Sequence, residues 1–304
     1  MSDFIKIRVP GTTANCGPGF DVMGIACTIY NELELKLLPE DKLIIELTGD
    51  GADNIPRNAS NMVWQCIRKV IDETGAAYKG AHIKMHNGVP LSRGLGSSAT
   101  AIVAGLYAAN AYLGNPPSVQ KLFEMATAIE GHPDNIAPAL FGGITVSTHT
   151  ETQLKCVSFM PDFPLKMVVA IPGFYLPTKK ARAVLKQQVP LKDAIFNIGH
   201  AAMLLAALSQ GRIDALQGAF EDRLHQPYRA SLIPGMDDVF AAAKQNGALG
   251  AVISGAGPTL IAYTVKNGEA IGQAMVKAFA AHNVNAVCHV LDIDDKGARI
   301  IQEN

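Results

Sequence analysis

Apolar and polar residues alternate with period two over Ile5–Val9, Leu33–Leu37, Leu43–Leu47 and His82–Met85, the pattern of strands with one buried face. Between the last two, Met62–Thr74 repeats its apolar residues at helical spacing, so the first half mixes strands with helices. An apolar, Ala/Gly-rich stretch predicts a helix over Ser98–Leu113, stopped by Gly114 and Pro116–Pro117. Ser118, a good N-cap residue, opens a second helix to Glu130, stopped by Gly131 and Pro133. Gly142–Thr148 reads as a strand. From about Leu154 the pattern restarts: strand Lys166–Ile171, helices Asp193–Gln210, Asp214–His225 and Met236–Asn246, strands Ala248–Ser254 and Leu260–Val265, helix Gly268–His282 and strand Ala286–Leu291. With neither a repeat period nor a low-complexity segment, the expectation is an α+β protein of two intimately packed halves, 1–155 and 156–304.

Composition narrows the function. The 304 residues carry 26 Lys+Arg against 27 Asp+Glu, a net charge of −1, with the basic residues scattered. Nothing resembles the basic patch that neutralises a nucleic-acid backbone or an anionic membrane surface, so neither is expected as a partner. Lys6, Arg8 and Asp3 interrupt the N-terminal apolar run, unlike a signal peptide. No window reads as a membrane span at the sequence level. The five cysteines, Cys16, Cys27, Cys66, Cys156 and Cys288, are odd in number, far apart and free of C-x-x-C spacing. Neither a disulfide framework nor a structural zinc site follows, and a cytoplasmic location is expected.

The densest chemical signal is Pro90–Leu91–Ser92–Arg93–Gly94–Leu95–Gly96–Ser97–Ser98–Ala99–Thr100, a Gly/Ser loop opening directly into a helix. Glycines allow backbone to approach phosphate oxygens, the first-turn N–H groups lack intrahelical acceptors, and the helix dipole favours negative charge. Ser97 and Ser98 add hydroxyls for a phosphate oxygen or Mg²⁺. A Walker A loop would need a Lys after the glycines, and there is none. Gly94-x-Gly96-x-x-Ala99 formally matches a dinucleotide fingerprint. Its context is wrong, because Pro90 and a long gap separate it from strand His82–Met85 and no acidic residue follows at the required distance.

Two further turn-rich segments flank this loop: Pro10-Gly-Thr-Thr-Ala-Asn15-Cys-Gly17-Pro-Gly19-Phe-Asp21-Val-Met-Gly24, and Ser254-Gly-Ala-Gly-Pro-Thr259. Together, and in this order, the three resemble the motifs of the GHMP kinases, a family of small-molecule kinases. Glu130-Gly-His132-Pro-Asp134-Asn135-Ile-Ala-Pro138, Pro177-Thr178-Lys-Lys-Ala-Arg182 and Gln226-Pro-Tyr-Arg229-Ala-Ser-Leu-Ile-Pro234-Gly235 resemble segments of the branch whose acceptor is L-homoserine. The likeness spans nearly the whole chain. It implies a ribosomal-protein-S5-domain-2-like N-terminal domain and a ferredoxin-like C-terminal domain, with ATP bound in a groove between them. It also implies Mg²⁺, phosphorylation of the side-chain hydroxyl of L-homoserine on the route to threonine, and a homodimer as the expected assembly.

Roles follow from that resemblance. A loop Ser, here Ser98, and a Glu on the following helix would hold Mg²⁺. Glu124 and Glu130 are six residues apart and point about 120° apart on a helix, so both cannot face one site. Glu124 is preferred, since a carboxylate amid Leu122, Phe123, Met125 and Ala126 has little reason to be there unless paired or metal-bound. Arg182 and Arg229 would clamp the substrate carboxylate through their planar forks. Asn15, Asp21, His132, Asn135, Thr178 and Gly255 would complete the pocket, with Asp21 suited to the ammonium. At the reacting hydroxyl, Asp134 and Asn135 are adjacent alternatives; Asn135 is favoured as a positioning residue without a strong base, which a loose transition state tolerates. Asn58, Asn61, Met62 and Val63 are placed at adenine by family position alone. Rival readings are another member of the family, a nucleotide sensor without turnover and a dinucleotide-dependent oxidoreductase.

Overall fold

The computed structural model describes residues 4–301. Strands β1 (Ile5–Ala14), β2 (Met23–Leu38), β3 (Leu43–Gly49) and β4 (Gly80–Asn87) alternate buried and outward side chains over their period-two stretches, whereas Val9–Ala14 of β1 and Met23–Cys27 of β2 are buried throughout. Helix α1 (Met62–Thr74) matches its expected span; Asn61 caps it, the side chain accepting from Val63 and Trp64 N–H, a contribution of about 1 kcal/mol. Helices α2 (Ser97–Tyr112) and α3 (Val119–Glu130) begin and end within a residue of expectation, α3 capped by Ser118 and closed by Gly131 at φ +94°. Helix α4 (Ile136–Phe141) and strands β5 (Ile144–His149) and β6 (Leu154–Phe159) follow. A seven-stranded sheet has the central order β11-β1-β2-β4-β3, β11 being Arg299–Ile300, and the long β2 also pairs with β5, which carries β6. This sheet takes in β6, which straddles residue 155.

The second sheet is formed by β7 (Lys166–Pro172), β8 (Gly250–Ile253), β9 (Leu260–Thr264) and β10 (Ala286–Leu291), antiparallel in the order β10-β7-β9-β8. Strands β7, β8 and β9 are buried on both faces, while the edge strand β10 is exposed at Val287, His289 and Val290. Val168 and Ala170 of β7 point towards α8 (Met236–Gln245) and α9 (Gly268–Ala281), while Met167, Val169 and Ile171 face Met23, Ile25 and Cys27 of β2. The same strand thus joins two cores, and each buried Val, Ile or Met adds about 1.5–3 kcal/mol. Helices α5 (Thr178–Ala183), α6 (Leu191–Ser209) and α7 (Gln226–Arg229) lie between β7 and α8.

One expected helix does not form. Within Asp214–His225 only a 3₁₀ turn, Ile213–Leu216, is present. Gly218 at φ +84° turns the chain, Phe220 enters the core, and Asp222 accepts from the N–H groups of Leu224, His225 and Gln226 to open α7 instead. Helix α6 is long and apolar enough to cross a membrane by length and composition, contrary to the sequence reading. Its inner face packs Leu204, Ala207 and Leu208 into the core, and Asn197 there donates to the Pro18 carbonyl and Asp222.

Candidate active site

The three turn segments converge where the two sheets meet. Thr12 N–H donates to the Leu95 carbonyl, Thr259 N–H to that of Arg93, and Gly255 N–H to that of Ala14. Ser254 Oγ donates to the Gly94 carbonyl at 2.5 Å and accepts from Thr13 Oγ1 at 2.9 Å. Asn15 is a hub: its Nδ2 donates to the Gly255 carbonyl at 2.8 Å while its Oδ1 accepts from Asp21 N–H at 3.0 Å. These bonds enclose a cavity of about 380 Å³ lined by all three segments.

At one end lies the start of α2. Its N-cap is Gly96 at φ +70°, no side chain caps it, and the next three N–H groups have no intrahelical acceptor. That end is built for an anion. Leu91, Ser92, Gly94, Gly96, Ser97 and Ser98 line the cavity, whereas Pro90, Arg93, Leu95, Ala99 and Thr100 do not. Leu95, Ala99 and Thr100 are fully buried, and Thr100 Oγ1 accepts from Asn31 and donates to the Ser97 carbonyl. The Arg93 guanidinium lies over the Tyr175 ring, 4.6 Å from its centroid. Gly96 is held glycine by packing as much as by any ligand, for a Cβ there would strike the Thr12 hydroxyl.

The carboxylate beside this loop is Glu130. Ser98 Oγ donates to Glu130 Oε2 at 2.7 Å, and both line the cavity. Glu124, the expected choice, lies elsewhere: it accepts from Gln120, which also holds the Leu154 carbonyl, and it borders a separate depression with Gln153. The sequence argument failed because Glu124 answers its apolar neighbours by pointing out to solvent beside Gln120. Glu130 closes α3, and a carboxylate at a helix C-terminus gains from a cation.

Asn61, Met62 and Val63 line the opposite end, as do Ile55, Pro56 and Met85. The Asn61 amide is committed to capping α1 and to the Pro56 carbonyl. Asn58 does not reach the cavity; its side chain closes a turn on Ser60.

The remaining expected residues gather on the far side of α2's N-terminus. Arg182 forks onto Asp21, with Nη1–Oδ2 3.0 Å and Nη2–Oδ1 2.7 Å, and these hydrogen bonds raise its pKa further. Arg229 is 2 % exposed and donates to the carbonyls of Gly255 and Ala181. Burial, with Arg182 nearby, lowers its pKa to about 10, so it stays cationic at neutral pH. The Gly255 carbonyl, taken by Asn15 and Arg229, anchors the site. His132 Nδ1 lies 2.6 Å from Asp134 Oδ1. Burial lowers the His132 pKa, but the Asp134 hydrogen bond and charge, with Glu130, outweigh it and the net shift is upward. Asp134 also accepts from Asn135 N–H, and Asn135 Oδ1 accepts from Thr12 Oγ1 at 2.8 Å. Thr178, at the start of α5, is exposed on the cavity wall.

Sequence reasoning missed Thr12, Phe20 and His225. The Phe20 ring is 5.6 Å from the Arg182 guanidinium and 5.4 Å from that of Arg229, separating two like charges. No spacing signal singles these residues out, since their partners are distant in sequence.

A phosphate-ready helix terminus and a pair of arginines sharing one cleft between two α+β domains define a small-molecule kinase. The models of the GHMP kinase N-terminal and C-terminal domains match residues 61–143 and 204–281, and the chain belongs to this family. Relatives named homoserine kinase include that of Moorella thermoacetica, 43% identical over 97% of this chain and 99% of its own, and that of Trichormus variabilis, 44% identical over 97% and 98%. The crystal structure of homoserine kinase from Cytophaga hutchinsonii superposes with a TM-score of 0.91 at 34% identity, covering 99% of this chain and 98% of that one.

Proposed function

We propose that this chain transfers the γ-phosphoryl group of ATP to the side-chain hydroxyl of L-homoserine, forming O-phospho-L-homoserine on the route to threonine. The observation that carries the reading is one cavity lined both by an amide-bearing helix terminus and by Asp21, Arg182 and Arg229. An anionic phosphate chain and a zwitterionic amino acid each find their complement there. The homoserine oxygen attacks γ-phosphorus, the new O–P bond replaces the bond to the β-phosphate oxygen, and ADP and a proton leave.

The protein's part is positioning and charge. The free N–H groups of α2 and the Ser97 hydroxyl would hold the phosphates, and Asn61, Met62 and Val63, with Ile55 and Met85, would frame adenine. Arg182 and Arg229 would orient the carboxylate and Asp21 the ammonium. Asn135, fixed by Thr12, would place the hydroxyl, while Asp134 is occupied by His132 and the Asn135 amide. Mg²⁺ suits Ser98 and Glu130, hard oxygen donors that meet at the phosphate end and leave room for water and phosphate ligands. When bound there it would neutralise charge developing on the transferred group.

A cytoplasmic homodimer completes the reading. All five cysteines are free. Leu191, Ile195, Ile198 and Met203 of α6 are 75%, 60%, 69% and 52% exposed, an apolar surface fit for a second copy related by a two-fold axis.

An ADP-release assay over a panel of alcohols tests the activity. L-Homoserine should be turned over with Mg²⁺ and ATP, and mevalonate or galactose should not; a better rate with either of those would overturn the substrate.

A further inference from the structure

His225 is fully buried, yet neither the phosphate loop nor the proposed acceptor contacts account for it. Its Nε2 lies 2.8 Å from the Gly17 carbonyl, an obligate acceptor, so Nε2 carries the proton. Its Nδ1 lies 3.3 Å from Arg229 Nη1, an obligate donor, so Nδ1 carries a lone pair. Both bonds are made only by the neutral Nε2–H tautomer. The charged groups facing the ring are Asp222, whose Oδ2 is 3.6 Å from Nε2, the Arg229 guanidinium, and Asp21 farther off. Burial holds the imidazole pKa below its ordinary value; Arg229 acts the same way, against Asp222, the Gly17 carbonyl and Asp21. Asp222 is itself tied to the N–H groups of Leu224, His225 and Gln226 leading into α7 and to Asn197 of α6, so the ring cannot slide along the turn.

The imidazole therefore bridges two parts of the acceptor end. One is the loop from Gly17 to Asp21, which the ring also meets by stacking on Phe20, with centroids 5.1 Å apart. The other is Arg229, whose Nε and Nη1 are consumed by Ala181, Gly255 and His225. Among the described residues nothing accepts from Nη2, the nitrogen left for a ligand. We infer that His225 is a positioning residue: it sets the spacing between Arg229 and the Asp21 loop that the two charges of the amino-acid substrate must span. The inference rests on the L-homoserine reading above, and it assigns His225 to acceptor recognition rather than to phosphoryl transfer.

Steady-state kinetics of wild type, His225→Leu and His225→Asn test it. In His225→Leu the KM for L-homoserine should rise at least about tenfold, the KM for ATP staying within about threefold, because a hydrogen bond to a charged group is lost far from the phosphate loop. The wild-type preference for L-homoserine over L-homoserinamide should shrink in parallel. His225→Asn, whose Oδ1 can still accept from Arg229, should recover much of the lost affinity and serves if the Leu variant does not fold. An unchanged homoserine KM, equal rises in both KM values, or no recovery in the Asn variant would each overturn the inference while wild-type turnover stands. Absence of wild-type turnover with L-homoserine would instead sink the reading beneath it.

Discussion

Arg182 meets Asp21 through two parallel hydrogen bonds of 3.0 and 2.7 Å, so the cation and anion proposed to read the substrate's two charges neutralise one another when it is absent. An α-amino acid can divide the pair and return an opposite charge to each half. An amino alcohol satisfies Asp21 alone and leaves Arg182 in want of its partner. Replacing Arg182 by Leu should lower kcat/KM for L-homoserine by about 2–5 kcal/mol, or roughly 30-fold to several-thousand-fold, towards the smaller figure because the side chain is 37% exposed. ATP affinity should barely move, and 3-aminopropanol should be a very poor substrate for wild type. Normal homoserine kinetics in both Arg182→Leu and Arg229→Leu would remove the carboxylate clamp.

Glu130 faces Ser98 across the phosphate end, and Glu124 faces Gln120 on another surface. Glu130→Gln keeps the shape and deletes the charge, so kcat should collapse and the Mg²⁺ requirement should rise, with homoserine binding little affected. Glu124→Gln should behave as wild type. A magnesium titration of the two variants decides between them, and the reverse ranking would restore the sequence-based choice.

The apolar stripe of α6 makes a third expectation. Leu191, Ile195 and Ile198 fall at helical spacings of four and three, and with Met203 each is more than half exposed. Light scattering should give twice the chain mass for wild type and the single mass for an Ile195→Glu/Ile198→Glu variant. A monomeric wild type, or a variant that stays dimeric, would discard this surface.

What could be read beforehand divides along physical lines. Strands such as β3 and helices such as α1 carry their period in adjacent residues, so their spans were legible. The loop before α2 was legible because glycine and serine density is itself local. Glu130 was not, since which side of α3 faces Ser98 depends on how α2 and α3 pack. Likewise Asp214–His225 has helical spacing, but Gly218 and the capping role of Asp222 prevail once Phe220 has a core to enter. Thr12, Phe20 and His225 acquire their roles only from partners brought in by the convergence of the three turns.

His132 supplies a pH test of the acceptor end. Its folded-state pKa is raised: burial opposes the proton, but Asp134 at 2.6 Å and the Glu130 charge more than offset that, with Arg182 acting weakly against them. A group held above its unfolded value, about 6.5 for His, contributes stability that is complete below that value and is lost as pH rises through the folded pKa. The wild type should therefore exceed His132→Gln in unfolding free energy by more at pH 5.5 than at pH 9. Urea denaturation of the ligand-free proteins at the two pH values measures the difference directly. A gap that is the same at both, or wider at pH 9, would show that His132 gains no net stabilisation from protonation beside Asp134.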